Sequence, residues 1–146
     1  MPPKIITQDN ITRIGIGAVV FRDDAVLLVK RRNPPNKGQW AIPGGKVRFL
    51  EPLKVAVARE ILEETGIVIE VQEPIYTFEV ISSNKEKTAM EALHYVVIDY
   101  RAEYLSGEVL AADDAQSAAW INREDYKNLD INQETRTLLH EKFNFP

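Results

Sequence analysis

The sequence predicts a single α/β (α+β) domain built on a mixed β-sheet, and three observations favour this fold class. Segments rich in β-branched residues recur along the chain and are separated by polar turns, as strands are. Two other segments have the periodicity of helices, one in the middle of the chain and one at its end. A length of 146 residues suffices for one hydrophobic core and leaves little room for a second domain. We therefore expect residues 1–146 to form one unit.

Six strands are predicted, each bounded by residues that favour turns. They are Ile14–Phe21, Ala25–Lys30, Ile67–Val71, Ile75–Ile81, Leu93–Tyr100 and Ala118–Ile121. Residues 1–12 are polar and are expected to form a loose arm or an edge strand. Residues 33–38 and 107–116 have the composition of loops, and the second of these loops is acidic.

The central helix is predicted over Leu53–Glu64, where strong helix formers predominate. Pro52 suits the first turn of a helix, because a proline has no amide hydrogen to leave unsatisfied there. Gly66 tolerates the left-handed conformation in which helices commonly end. A second, amphipathic helix is predicted over Asn132–Phe143, and we expect it to pack on the sheet.

The two sides of the central helix differ in chemistry when residues are placed at about 100° intervals. The apolar side consists of Val55, Ala58, Ile61 and Leu62. The opposite arc carries three glutamates, Glu60, Glu63 and Glu64. This acidic arc also includes Leu53, Ala56 and Val57. It is therefore not a plain solvent-facing stripe.

The composition excludes several kinds of chemistry. The chain has no cysteine, which rules out disulfides, thiolate zinc sites and cysteine nucleophiles. Its two histidines leave little scope for a histidine-rich metal centre. A net charge of -4 argues against binding to a nucleic acid polymer, which needs a basic surface. The sequence lacks a signal-peptide pattern and an apolar run of membrane-spanning length, so we expect a cytoplasmic protein with no membrane association.

The three glutamates of the central helix repel one another, and they lie near its C-terminus, where the helix dipole disfavours anions. This loss of local stability is typical of a site for a hard cation. Oxygen ligands suit Mg²⁺ or Mn²⁺, and Mg²⁺ commonly joins carboxylates to substrate phosphates. Taken alone, however, three glutamates fit a solvated acidic helix face better than a metal site.

The whole interval around the helix changes that balance. Gly45 is followed by five residues, then Glu51, then seven residues, and then the run Arg59-Glu60-Ile61-Leu62-Glu63-Glu64-Thr65-Gly66-Ile67. This interval resembles the Nudix box at all seven fixed positions and both apolar positions, a match that chance does not produce in a chain of this length. The resemblance implies a Nudix-like α/β/α sandwich with a mixed β-sheet.

The resemblance also implies roles for the matching residues. Glu60, Glu63 and Glu64 would be metal ligands and catalytic residues, with the Gly45 carbonyl as a backbone ligand. Arg59 would orient a box glutamate, and Glu51 would hold either a water molecule or Arg59. The implied cofactor is Mg²⁺, with Mn²⁺ as a substitute. The metal would neutralise a diphosphate and lower the pKa of a water molecule that attacks one phosphorus in line.

The general base and the phosphate-binding residues stay open. The base is either a box glutamate or an acidic residue of a later loop. The loop candidates are Asp113, Asp114, Glu91 and Glu108, each of which also fits a solvated loop carboxylate. Asp113 and Asp114 are candidates for substrate binding as well as for the general base. The basic candidates for phosphate contact are Arg31, Arg32 and Lys46, although paired basic residues at a strand end are often only solvated.

The substrate is predicted from the resemblance of a longer segment to known enzymes. Residues 94–121 resemble small Nudix enzymes that act as ADP-ribose pyrophosphatases, which implies cleavage of ADP-ribose to AMP and ribose 5-phosphate. The alternatives are a nucleoside triphosphate pyrophosphatase, a dinucleoside polyphosphate hydrolase and a non-catalytic module that binds a nucleotide sugar. Each of these takes a small-molecule nucleotide as its partner. Family members are often dimers, so a homodimer is a further implication.

Overall fold

The computed structural model describes residues 11–32, 37–82, 93–110 and 115–146, and a mixed β-sheet dominates this part of the chain. The strands are β1 (Arg13–Arg22), β2 (Ala25–Arg31), β3 (Trp40–Ala41), β4 (Gly44–Lys46), β5 (Val68–Ser82), β6 (Leu93–Ser106) and β7 (Ala115–Ile121). The helices are α1 (Leu53–Thr65), α2 (Arg123–Tyr126) and α3 (Gln133–Phe143). The predicted central and closing helices are both present.

The sheet is organised around β1, and the strand order is β3-β2-β1-β6-β5. β1 pairs with β6 in parallel, whereas the other pairings are antiparallel. β2 and β4 share the other edge of β1: β2 pairs with its C-terminal end and β4 with its N-terminal half. β7 pairs with β2. The predicted mixed sheet is confirmed.

Alternate side chains of β1 face opposite sides of the sheet, and each side has its own core. On one side, Ile16 and Val20 pack in a cluster with the buried residues of α1. On the other side, Val19 packs in a cluster with Leu138 and Leu139 of α3. The sheet therefore lies between two helical layers, which is the predicted α/β/α sandwich.

The buried side of α1 differs from the apolar side that the sequence predicts. Ala56, Val57 and Ile61 are fully buried, whereas Val55 and Leu62 are 54% and 50% exposed. The predicted apolar side was therefore wrong for Val55 and Leu62, two of its four residues. The buried arc instead includes the glutamates, because α1 lies against β5, β4 and β1, and Glu60 lies directly against Gly45 of β4.

Three further differences have a local physical cause. β5 is one long strand in place of two, and its pairing with β6 is irregular around Pro74, whose missing amide hydrogen cannot join the ladder. β4 and α2 were not predicted, because three or four residues carry no periodicity. Asn132 is the N-cap of α3, where its Oδ1 accepts hydrogen bonds from the amides of Glu134 and Thr135. In the described part of the chain, no helix is long and apolar enough to cross a membrane.

Candidate active site

Gly44 and Gly45 bring the backbone of β4 into close contact with its neighbours on both sides. A side-chain carbon at Gly44 would collide with the Ile16 carbonyl of β1. A side-chain carbon at Gly45 would collide with the carboxyl group of Glu60. A glycine at position 45 is therefore what allows a helix carboxylate to lie directly against the β4 backbone.

Arg59 joins the loop before α1 to the glutamates on the helix. Its Nε and Nη2 atoms donate to the two carboxylate oxygens of Glu51, at 2.7 and 2.9 Å. Its Nη1 atom donates to Glu60 Oε1 at 2.7 Å and to Glu63 Oε2 at 3.1 Å. Nη2 also donates to the Lys46 carbonyl at 3.0 Å. The planar guanidinium thus fixes the positions of three box carboxylates relative to β4.

The protonation behaviour of these groups follows from their contacts. The hydrogen bond from Arg59, together with one from the Arg48 amide, lowers the pKa of Glu51 to about 2. The same carboxylate raises the pKa of Arg59 above its usual range. Burial raises the pKa of Glu60, although its bond to Arg59 acts in the opposite direction. Glu51 and Arg59 are therefore an ion pair at neutral pH, whereas burial disfavours the charged form of Glu60 despite its bond to Arg59.

The residues present fit a hard cation in chemistry and position. Their donors are all oxygens, and Glu60 lies against the Gly45 backbone in a space that a methyl group would fill. Glu64 is buried at 8% exposure on the same face of α1. Across residues 11–32, 37–82, 93–110 and 115–146, no three acidic or histidine side chains already converge on one point. Glu60 and Glu63 are engaged with Arg59 instead, so convergence requires side-chain rotation on a fixed backbone.

A cavity of about 400 Å³ opens on the side of the sheet opposite α1 and borders the same glycines. Its size is typical of small-molecule sites, which span roughly 300–1,000 Å³. Gly15 and Gly17 of β1 leave room for it, because the side chains at these positions would project into it. Its apolar wall consists of Ile42, Pro43, Phe78, Val80, Leu93, Tyr95 and Val97. Gly44, Gly45 and Lys46 complete one side.

The polar part of the cavity was not predicted from the sequence. Asp99 of β6 lines it and is 3% exposed, together with Asn132, Glu134 and Thr135 at the start of α3. Burial, followed by the nearby charge of Glu134, raises the pKa of Asp99 to about 7. One signal was available: Asp99 directly follows the apolar run Val96-Val97-Ile98, and a charged residue beside such a run needs a reason.

The candidate phosphate-binding residues differ in their relation to the cavity. Arg31 and Lys46 line it, whereas Arg32 is exposed and is not among the lining residues. The Lys46 ammonium lies 6.0 Å from the centre of the Tyr95 ring. Of the aromatic residues on the strands, Phe78 and Tyr95 line the cavity. They are the ones placed to stack on a base.

The loop candidates for the general base lie mostly beyond the described structure. Glu91, Asp113 and Asp114 fall outside the described residues. Glu108 is exposed, and its backbone carbonyl lies close to Gly66 at the end of α1. The Leu110 amide donates to the Thr65 carbonyl at 2.7 Å, which ties the segment after β6 to the C-terminal end of the helix.

Known proteins are similar to this chain in sequence and in fold. A family model for the NUDIX domain matches residues 11–142. An ADP-ribose pyrophosphatase from Methanocaldococcus jannaschii is 31% identical over 121 residues, covering 83% of this chain and 68% of that protein. Nucleoside triphosphatase NudI from Escherichia coli is 27% identical over 129 residues, covering 85% and 92% respectively. A crystal structure of a MutT NUDIX hydrolase from Burkholderia pseudomallei has a TM-score of 0.71 and 32% identity, covering 90% of this chain and 98% of that one.

The fold and the family match together define the class of this protein as a hydrolase. The chain belongs to the Nudix family of hydrolases. These enzymes are pyrophosphohydrolases and generally need divalent metal ions. The family resemblance, the fold class and the assignment as an enzyme are thereby confirmed.

Proposed function

We propose that this protein hydrolyses ADP-ribose to AMP and ribose 5-phosphate with Mg²⁺ as its metal, for which Mn²⁺ substitutes. The observation that carries the proposal is the position of Gly44 and Gly45. Their backbone borders the cavity, and Gly45 also touches the Glu60 carboxylate. A base seated in the cavity would therefore direct its diphosphate along this backbone toward the acidic helix.

Each part of the site has a task in the proposed reaction. Phe78, Tyr95, Lys46 and Arg31 line the cavity. The two aromatic rings would bind the base, and the two cations would attract the diphosphate. Arg59 positions Glu60 and Glu63, and Glu51 in turn positions Arg59. A divalent cation held by Glu60, Glu63, Glu64 and the Gly45 carbonyl would neutralise the diphosphate and make water more acidic.

The reaction itself is an in-line displacement at phosphorus. A water oxygen forms a new bond to one phosphorus while the bridging P–O bond breaks, and the second phosphate departs with its sugar. A carboxylate accepts the proton of the water. The acceptor is a box glutamate or an acidic residue of the segment after β6, where Glu108 is the described candidate.

The relatives support the choice of substrate and also name its main rival. The archaeal relative at 31% identity is an ADP-ribose pyrophosphatase. The Escherichia coli relative is a nucleoside triphosphatase, and its match covers 92% of that protein. Nucleoside triphosphate pyrophosphatase activity is therefore the second candidate, ahead of dinucleoside polyphosphate hydrolysis.

A substrate panel with product analysis tests the proposal. ADP-ribose, nucleoside triphosphates and dinucleoside polyphosphates are incubated with the protein and Mg²⁺, and products are separated by chromatography. We expect AMP and ribose 5-phosphate to form fastest. Faster release of pyrophosphate from a triphosphate, or of mixed nucleotides from a dinucleotide, would replace the proposed substrate by the corresponding rival.

Amide variants of the box test catalysis against simple binding. Glu63→Gln and Glu64→Gln should lower turnover by about 10²-fold or more while the fold survives, because each removes one charged metal ligand. Glu70→Gln, on an exposed position of β5, is the matched control and should leave turnover unchanged. Equal turnover in all three variants would contradict the roles given to the box.

A cytoplasmic location and a homodimer are also proposed. Gel filtration with light scattering tests the homodimer.

A further inference from the structure

We infer that Asp99 determines base specificity: its carboxyl group pairs with N1 and the 6-amino group of adenine at the floor of the cavity. This inference rests on the proposed function in taking an adenine nucleotide as the ligand and the cavity as the site of its base. Asp99 lies on the opposite side of the sheet from α1 and has no part in the box. It is a buried acidic side chain that the catalytic arrangement leaves without a role.

The position of Asp99 is built by two strands that pair in parallel. Gly17 of β1 lies opposite Asp99 of β6, and a side-chain carbon at Gly17 would come within 2.6 Å of Asp99 Oδ1. The glycine thus makes space for the carboxyl group at the cavity floor. Within the described residues, burial and the charge of Glu134 act on this carboxyl group and no hydrogen bond does, so its pairing capacity is available to a ligand.

Charged and titratable groups from five elements lie around Asp99. Glu134 of α3, Tyr95 of β6, Arg31 of β2 and Lys46 of β4 line the cavity, and Tyr76 lies beside Asp99 on the paired strand β5. Tyr76 donates its hydroxyl to Glu134 at 3.1 Å, and burial raises its pKa, so it stays neutral near pH 7. The Glu134 carboxylate disfavours a second negative charge nearby and adds to the effect of burial on Asp99. Asp99 is consequently half protonated at about pH 7.

The protonation state decides which base Asp99 can pair with. A carboxylic acid offers one donor and one acceptor, which match N1 and the 6-amino group of adenine. An ionised carboxylate only accepts, so it repels N1 of adenine. Guanine presents two donors on the same edge, N1–H and the 2-amino group, and an ionised carboxylate accepts both. Adenine binding should therefore weaken as Asp99 ionises, whereas guanine binding should not.

Binding of ADP-glucose and GDP-glucose in EDTA, measured by calorimetry between pH 6 and pH 8, tests this inference. The two ligands differ only in the base, and their esterified diphosphates lack the second phosphate ionisation near pH 6 of a monoester. With Asp99 half ionised near pH 7, the affinity for ADP-glucose should fall about tenfold over this range. The affinity for GDP-glucose should not fall. A flat profile for ADP-glucose, or equal falls for both ligands, would overturn the inference.

Two variants assign the titration to its source. Asp99→Asn keeps a donor and an acceptor but cannot ionise, so ADP-glucose should bind with a flat pH profile. Glu134→Gln removes the neighbouring charge and should move the transition to lower pH without abolishing it. A transition that persists in Asp99→Asn, or one that disappears in Glu134→Gln, would assign the effect elsewhere and contradict the inference. The binding measurement does not depend on hydrolysis, so failure of the ADP-ribose assay and failure of this inference are distinguishable.

Discussion

At the scale of single residues, Asp99 makes stability depend on pH. Its folded-state pKa of about 7 lies above the unfolded value of 3.8, so the folded protein holds a proton that the unfolded chain has lost. Its contribution to stability is therefore fully present below about pH 4 and is lost as the pH rises to 7.

The Asp99→Asn variant measures this loss. The difference in unfolding free energy between the variant and the wild type should grow by roughly 2–4 kcal/mol in the variant's favour between pH 4 and pH 8. Urea unfolding at several pH values measures the difference. A constant difference across this range would mean that Asp99 ionises as freely in the folded protein as in the unfolded chain.

The ion pair of Glu51 and Arg59 acts in the opposite direction. Because the pKa of Glu51 is lowered to about 2, its stabilising contribution is present above the unfolded value of 4.5 and is lost as the pH falls toward 2.

The Glu51→Gln variant removes the charged partner of Arg59, so Arg59 holds the helix carboxylates less firmly in position. We expect kcat to fall about 10- to 100-fold, and the Mg²⁺ concentration for half-maximal activity to rise. A fall in kcat with unchanged Mg²⁺ dependence would show that Glu51 does not act through the metal ligands.

At the scale of elements, α1 supplies a matched pair of variants. Ile61 and Leu62 are neighbours on the predicted apolar side, but Ile61 is fully buried and Leu62 is 50% exposed. Ile61→Ala should lower the free energy of unfolding by about 2–5 kcal/mol, and Leu62→Ala by less than about 1 kcal/mol. Denaturant unfolding compares the two. Equal losses would contradict the orientation of the helix against the sheet.

The contact between β4 and α1 is tested by Gly45→Ala. The added methyl group must displace the Glu60 carboxylate, so turnover should fall by about 10²-fold or more. Binding of ADP-glucose in EDTA should be retained within a few fold, because the Glu60 carboxylate is not part of the cavity lining. Loss of binding together with turnover would mean that the substitution disturbs all of β4 and not the carboxylate alone.

At the scale of the whole molecule, the sequence predicts what is local and misses what depends on strand pairing. α1 begins and ends within a residue of its predicted bounds, because Pro52 and Gly66 act on their immediate neighbours. Its buried side was misassigned, since the partner strand β4 has too few residues to be recognised. The cavity could not be predicted either, because it depends on how distant strands pair. Gly17 and Asp99 are distant in sequence, and only the parallel pairing of β1 with β6 brings them together.

The central claim is that the carboxylates of α1 hold a divalent cation, and Mn²⁺ titration followed by electron paramagnetic resonance tests it most directly. The wild type and Glu70→Gln should bind Mn²⁺ with equal affinity, and Mg²⁺ should compete. Glu60→Gln combined with Glu64→Gln should weaken Mn²⁺ binding at least tenfold, since two charged oxygen ligands are lost while the fold is kept. Unchanged Mn²⁺ affinity in that folded double variant would place the cation elsewhere and contradict the claim.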